Sequence, residues 1–430
     1  MKIKKYISIE FFIVLIYIIF NFIQALILIN TRTFWGDFFP LEVELSNKII
    51  WLLFFIQITI YVIVYKFYIK FIKGKRLVNF TIGLNEQLHK MIDYYFLILL
   101  LINIILFIKG FVTPAEVHKI SNLKSIFNNT FAIGIIFPIY YFLNRGKGNK
   151  ILYFLNILLY TLFSLAQGWF GIFFLVFIYE LYFRSEQRIN FKYILFTFVA
   201  LCVGIFLYQH IFLLKKFIRT TGTFNLYFLN YIQPIPFKES TFYLFSRLSC
   251  FSNIIATIQY KEEILTAINY IYSRENFTIL KILTFIRDSF GSHMESVLKL
   301  IIHSIFAYLG YSLAVFRSDY IISEERVVSF GTPFLSVIYL LLSYNILQFI
   351  LYIIFLIISV LFIKGLLDIF KDKNVYFVFF LTLMYFAHES GEISVAFFRQ
   401  IIGYFIFSLI LLVFKSIQKC INKKYKKFYP

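Results

Sequence analysis

Long apolar runs separated by short polar turns dominate the chain. A helix that crosses the roughly 30 Å hydrocarbon core of a bilayer needs about 20 apolar residues. Because backbone groups in hydrocarbon must be hydrogen-bonded within their own segment, each long run is predicted to be a helix. The pattern predicts an all-α polytopic membrane protein with about ten transmembrane helices. The predicted spans cover residues 7–29, 49–69, 94–111, 126–143, 151–166, 170–183, 193–213, 334–364 with a break at Asn345, 375–387 and 393–414.

The alternation of runs and turns stops between the seventh and eighth predicted spans. The chain is therefore divided into three parts. Residues 1–213 hold transmembrane helices one to seven, and residues 214–332 form a large extracytoplasmic loop that contains short helices. Residues 333–430 hold helices eight to ten and a basic cytoplasmic tail. Polar groups that could carry chemistry are concentrated in the loop.

Composition and charge fit this division. The chain is 60% hydrophobic and carries a net charge of +20, whereas soluble domains are about 45–50% apolar. The basic residues lie between apolar runs, so membrane topology explains the charge and no nucleic-acid partner is expected. Basic flanks stay on the cytoplasmic side. This places both termini in the cytoplasm and the long loop outside.

Motifs for metal, nucleotide or redox chemistry are not found in the sequence. The three cysteines, Cys202, Cys250 and Cys420, form no CxxC pair. No glycine-rich phosphate loop and no cluster with metal-ligand spacing occurs. The sequence therefore predicts a metal-independent protein with no cofactor.

Three arginines of the long loop are candidate ligands for an anionic substrate: Arg219, Arg247 and Arg287. Arg219 and Arg247 follow apolar residues, in the sequences FIR and LFSR. A guanidinium beside apolar surface needs a partner, and its planar fork suits a phosphate or pyrophosphate. The alternative is an interfacial arginine that reaches the lipid headgroups with its long side chain.

Two histidines are candidates for proton transfer or binding. His293, in Gly-Ser-His-Met-Glu, could act as a general base, with Glu295 orienting the imidazole. His388 and Glu389, at the end of the ninth predicted span, form a second candidate group that would bind substrate. The alternative for this second pair is a solvated turn.

The first predicted outer loop is acidic. Asp37, Glu42 and Glu44 could serve as a base or bind a divalent cation together with a sugar phosphate. The alternative is ordinary solvated loop charge.

The layout and four stretches of sequence resemble the Wzy-type polymerases of O-antigen or polysaccharide repeat units. The stretches are FIRTTG and LFSRLS in the loop, LAQGWFG between two short spans, and SFGTPFLSVIYLLLSYNI after the loop. The arrangement is also similar to that of O-antigen ligases.

The resemblance implies a glycosyltransferase-type polymerase of the plasma membrane. Such an enzyme joins oligosaccharide units carried on undecaprenyl pyrophosphate, by transferring the growing glycan to a sugar hydroxyl of an incoming unit. Arg219 and Arg247 would then bind the donor pyrophosphate, and His293 would be the base. Membrane lipid, a chain-length regulator and a flippase of the same pathway are the implied partners. Two other functions remain open, a different membrane glycosyltransferase that uses a lipid-phosphate sugar and the acidic first loop, and a lipid-oligosaccharide flippase.

Overall fold

The structure is a computed structural model that describes two large parts of the chain and short pieces between them. The described residues are 7–34, 41–74, 76–108, 133–167, 169, 171–184, 188–189, 192–193, 195–197, 199, 203–204, 249–262, 265, 333–344, 346–370, 372–388 and 393–428.

These residues are almost entirely helical. The helices are, in chain order, α1 (Ile9–Thr31), α2 (Asn47–Phe67, continued by a π-helical turn at Tyr68–Ile72), α3 (Glu86–Ile108), α4 (Ile133–Asn144), α5 (Lys150–Ala166), α6 (Gly171–Arg184), α7 (Phe251–Gln259), α8 (Phe334–Tyr344), α9 (Ile346–Asp368), α10 (Val375–His388) and α11 (Ile393–Phe428). Two strands of two residues each, β1 (Ile7–Ser8) and β2 (Arg188–Ile189), form a short antiparallel pair.

The prediction of a helical membrane protein is confirmed at this coarse level. Among the described residues, four segments are long and apolar enough to cross a membrane: Ile9–Thr31, Asn47–Ile72, Glu86–Ile108 and Gln400–Cys420. The full set of about ten spans stays a prediction. Asn345, where a break is predicted, lies outside the described residues, between the end of α8 and the start of α9.

Two helices extend further than their apolar runs. α3 begins at Glu86 instead of Tyr94, because the Asn85 side chain accepts a hydrogen bond from Leu88 N at 2.9 Å and Glu86 pairs with Lys90 at 2.8 Å. α11 continues from its apolar part through the basic tail to Phe428. Lysine is a good helix former, so loss of apolar character does not end a helix. The predicted bounds of these helices were therefore wrong.

The helices form one bundle with two distinct ends. The basic end, as we call it, is where the first residues of α1 and α3 meet the last residues of α6 and α9. It contains the cations Lys73, Arg145, Lys147, Arg184 and Lys364, each of which lies within ion-pair distance of a carboxylate. The opposite end is where α1 and α7 finish and α2 begins. Its turn between α1 and α2 is closed by Arg32, which donates to Leu45 O at 2.7 Å.

Asp93 holds three elements together near the basic end. Its carboxylate accepts hydrogen bonds from the Tyr140 hydroxyl at 2.8 Å, the Asn144 amide at 2.7 Å and the backbone N–H of Asn149 at 2.9 Å. The residue is fully buried. A buried carboxylate with this many donors is stabilised in place, so it fixes α3 against α4 and the start of α5.

Gly148 lies against this carboxylate, and a methyl group there would overlap an Asp93 oxygen. We expect Gly148→Ala to destabilise the protein by about 1–3 kcal/mol, because the carboxylate must move away from its donors. Equilibrium unfolding in detergent would measure the change. Gly83→Ala is the control, since a methyl group at Gly83 has no neighbour within 4 Å. Equal stability of the two variants would contradict the expectation.

Candidate functional site

Most of the predicted site residues lie outside the described part of the chain. These are Arg219, Arg247, Arg287, His293, Glu295 and Glu389. Asp37 of the acidic loop lies outside it as well. Their predicted roles are therefore neither supported nor contradicted by the structure.

His388 is described, and it is buried. It is the last residue of α10 and is 4% exposed. Its Nδ1 lies 3.0 Å from the Tyr61 hydroxyl, and its ring centroid lies 4.4 Å from that of Tyr17. The alternative of a solvated turn is thus wrong for His388, because the side chain packs between α1 and α2.

Buried polar side chains from four segments surround His388. We call this group the His388 cluster. Its members are Asn21 and Gln24 of α1, Gln57 and Tyr61 of α2, Ser249, Cys250 and Ser252 at the start of α7, and His388 of α10.

The hydrogen bonds around Tyr61 fix the direction of the His388 ring. The Asn21 amide donates to the Tyr61 oxygen at 3.0 Å. The same oxygen lies 3.0 Å from His388 Nδ1, and the tautomer of the imidazole decides which of these two atoms donates. Tyr61 thus joins His388 of α10 to Asn21 of α1.

The segment that begins α7 is inserted into the bundle through Gln24. The Gln24 amide donates to Ser252 Oγ at 3.0 Å, and its carbonyl oxygen accepts from Ser252 N at 3.0 Å and from Ser249 Oγ at 2.5 Å. Ser249 Oγ also lies 3.2 Å from Asn21 Oδ1. Residues far apart in the sequence are thereby joined, so the part of the predicted loop around Ser249–Ser252 is anchored in the bundle.

The cluster is polar but contains no carboxylate and no fixed cation. Gln57 donates to the backbone oxygen of Ala387 at 2.8 Å, and its own carbonyl oxygen has no hydrogen-bond partner among the described residues. The Cys250 sulfur lies 3.8 Å from the Tyr61 oxygen. Buried polar groups inside apolar helices are costly unless they are satisfied. A cluster of this size at mid-depth in a membrane bundle is therefore a candidate functional site.

The described part of the acidic loop has a different environment. The side chains of Glu42 and Glu44 are exposed, and the backbone of both residues holds Gln259 at the end of α7. Gln259 donates to Glu42 O at 2.9 Å and accepts from Glu44 N at 2.9 Å. This favours solvated loop charge for these two carboxylates. Within the part of the chain that the structure describes, no three His, Cys, Asp or Glu side chains form a group able to hold a metal ion.

The sequence analysis missed most members of the His388 cluster. A signal was present in the spacing of the polar residues inside two apolar runs. Asn21 and Gln24 are three residues apart, and Gln57 and Tyr61 are four apart, so each pair lies on one face of its helix. Polar pairs at that spacing indicate a buried polar contact between membrane helices. The positions of Ser249 and Ser252 had no comparable signal.

Comparison with known proteins adds no family assignment: no family model, curated protein or solved structure matches the chain. The resemblance to Wzy-type polymerases accordingly stays a prediction. Any functional conclusion depends on the residues and on the geometry of the described bundle.

Proposed function

We propose that the protein polymerises lipid-linked oligosaccharide repeat units on the outer face of the plasma membrane. The observation that carries the proposal is the buried His388 cluster at mid-depth in the bundle, into which Ser249–Ser252 is inserted. Arg247 precedes Ser249 by two positions in the sequence. Arg247, a candidate for binding the pyrophosphate, is therefore close in sequence to a segment of the buried cluster.

The topology we propose has about ten transmembrane helices with both termini in the cytoplasm. Cations concentrate at one end of the bundle, and basic flanks remain cytoplasmic, which supports assigning the basic end to the cytoplasmic side. The His388 cluster would then lie at mid-depth and be joined through α7 to the outer face, on the side of the large loop. That face is where lipid-linked units are joined under the proposal.

The chemistry we propose is metal-independent transfer of a glycan from a pyrophosphate. An acceptor hydroxyl attacks the anomeric carbon of the donor glycan, His293 takes the hydroxyl proton with Glu295 orienting it, and the bond to the pyrophosphate oxygen breaks. The undecaprenyl pyrophosphate leaves with the electron pair. Negative charge grows on that oxygen, so donors fixed beside it lower the barrier.

Side chains near the leaving group supply these donors. Arg219, Arg247 and Arg287 would bind the pyrophosphate, since guanidinium forks bind phosphate oxygens through paired hydrogen bonds. His388, held in direction by Tyr61 and Asn21, would also contact the substrate, and Glu389 would contact the sugar. The cluster is buried, and hydrogen bonds to charged groups are stronger in a medium of low dielectric constant than in water. A chain-length regulator and a flippase are the expected protein partners.

Replacing Arg247 by alanine is expected to remove long-chain polysaccharide. Loss of one donor to the leaving group costs about 100-fold or more in rate. A carbohydrate gel of cells that express each variant from a deletion background would show the chain lengths, with membrane-inserted protein measured in parallel. Lys48→Ala is the matched control, because it removes an exposed cation at the end of the bundle where α2 begins. Long chains at normal abundance in Arg247→Ala cells would contradict the proposed role.

A second candidate, a lipid-oligosaccharide flippase, is favoured by one observation. Uncharged polar side chains are buried in α1, α2 and α10, and such groups inside several helices are what a polar cargo would need. The same deletion strain separates the two functions. Single lipid-linked units exposed on the outer face indicate a lost polymerase, whereas single units confined to the inner leaflet indicate a lost flippase.

A further inference from the structure

An apolar groove lies along the outside of the bundle between α1 and α6. It has a volume of about 640 Å³, counting its open side. Thr197 and Leu381 form a small part of its wall. The two long sides are lined by residues of α1 and α6: Ile9, Phe12, Ile13, Ile16, Tyr17, Phe20, Phe174, Phe177, Ile178 and Leu181. A groove of this composition in a membrane-spanning bundle is suited to a hydrocarbon chain.

The length of the groove corresponds to one leaflet. Along α1 it runs from Ile9 to Phe20, which is about 17 Å at 1.5 Å per residue. Half of a bilayer core is about 15 Å. Ile9 begins α1 at the basic end, so the groove lies in the leaflet on that side. A single acyl chain fills this length, whereas a long polyprenyl chain exceeds it.

Cations lie at the mouth of the groove. Leu181 lines it, and Arg184 is three residues further along α6, on the same face and one turn closer to the basic end. The Arg184 backbone oxygen accepts from the Tyr193 hydroxyl at 3.1 Å. The backbone oxygen of Tyr193 in turn accepts a hydrogen bond at 2.8 Å from the hydroxyl of Thr197, which is part of the groove wall. Lys192, next to Tyr193, is exposed.

The charge of Arg184 is only partly compensated. Its carboxylate neighbour, Glu180, lies 3.4 Å away and is also bound by Arg145 at 2.6 Å. One carboxylate thus faces two guanidinium groups, and the Arg184 side chain is 71% exposed. Together with Lys192, Arg184 leaves excess positive charge at the point where the groove opens towards the headgroup region.

We propose that this groove binds one anionic phospholipid of the leaflet on the basic side. One acyl chain lies between α1 and α6, and Arg184 and Lys192 contact the phosphate of the head. Juxtamembrane cations are each attracted to anionic lipid by about fivefold in affinity. The inner end of the chain lies against Tyr17, whose ring packs on His388 at 4.4 Å between centroids. The bound acyl chain would therefore contact Tyr17 and help to hold His388 in position. The inference stands apart from the proposed polymerase activity, because it concerns the other leaflet.

Native mass spectrometry of the full-length protein, with dioleoyl phosphatidylglycerol, dioleoyl phosphatidylcholine or undecaprenyl phosphate added in detergent, tests the proposal. Wild-type protein is expected to retain one phosphatidylglycerol in preference to the other two lipids. The variant Arg184→Ala/Lys192→Ala is expected to bind it about 30-fold more weakly. The control Lys90→Ala/Lys419→Ala removes exposed cations on α3 and α11, which do not line the groove, and is expected to bind normally.

A second variant addresses the groove itself. Ile178→Trp fills the space between α1 and α6 with an apolar side chain and leaves both cations in place, so it is expected to abolish retention of phosphatidylglycerol. Equal retention of the zwitterionic lipid by wild-type protein would overturn the proposal. Tighter retention of undecaprenyl phosphate, or unchanged binding in either variant, would overturn it as well.

Discussion

Asp368→Ala is expected to destabilise the protein by about 3–5 kcal/mol, because it breaks a fully buried ion pair and leaves its partner charged. The Lys364 Nζ lies 3.0 Å from the Asp368 carboxylate, and neither side chain is more than 1% exposed. The same carboxylate accepts from the Tyr376 hydroxyl at 2.5 Å and from Leu77 N at 2.6 Å. Removing it leaves three donors without this acceptor. Equilibrium unfolding in mixed detergent micelles would measure the loss.

Two further variants test whether the loss of stability comes from burial of the charges or from loss of an ion pair as such. Lys147→Ala breaks the pair with Asp372, in which the lysine is 47% exposed, and should cost no more than about 1 kcal/mol. Lys364→Met/Asp368→Leu removes both buried charges and should be more stable than Asp368→Ala, since no uncompensated charge remains. If Asp368→Ala costs as little as Lys147→Ala, the buried pair does not stabilise the join between α9 and the segment that follows α2.

His388→Ala is expected to lower the rate of glycan transfer by about 100-fold or more, under the proposed function, because it removes a proposed contact to the substrate. Tyr61→Phe keeps the ring but loses the hydroxyl that orients the imidazole, and an effect of about tenfold is expected. The readout is the chain-length distribution on a carbohydrate gel, normalised to the amount of inserted protein.

His89→Ala provides the matched control. His89 is also buried, at 5% exposure, but its Nδ1 lies 2.9 Å from Asn144 Oδ1 near the basic end, far along the bundle from the His388 cluster. Its replacement is expected to leave transfer per folded molecule unchanged. Normal chain length in His388→Ala at normal abundance, or an equal loss in His89→Ala, would show that His388 has no specific role.

The two predictions concern different levels of the bundle and different kinds of polar burial. At the basic end, Asp368 and Glu10 are fully buried, and each pairs with a lysine, Lys364 or Lys73. Each of these two carboxylates has its counter-ion, so these groups are fitted for holding helices together. In the His388 cluster, at mid-depth, the buried groups are amides, hydroxyls, a thiol and an imidazole. Such groups can bind an anion without first losing a partner charge, and this difference supports the choice of site.

The helical membrane class and the approximate positions of the helices followed from the sequence alone. Apolar runs are local, and a backbone in hydrocarbon has few alternatives to a helix. Helix ends were less well determined at α3 and α11, where capping by Asn85 and a lysine-rich tail extend the helix past the apolar run. The sequence also singled out His388, through its place at the end of a span, but it left open whether the side chain was solvated.

Only the tertiary structure decided that His388 is buried and what surrounds it. Its contacts come from Tyr61, Asn21 and the inserted Ser249 segment, which are separated along the chain by long intervals. Side-chain spacing within one helix indicates a face, but it does not indicate which distant helix packs on that face. Burial of His388 and the groove between α1 and α6 depend on such packing between distant helices. The same packing buries Lys364 and Asp368, so tertiary structure alone decides these features.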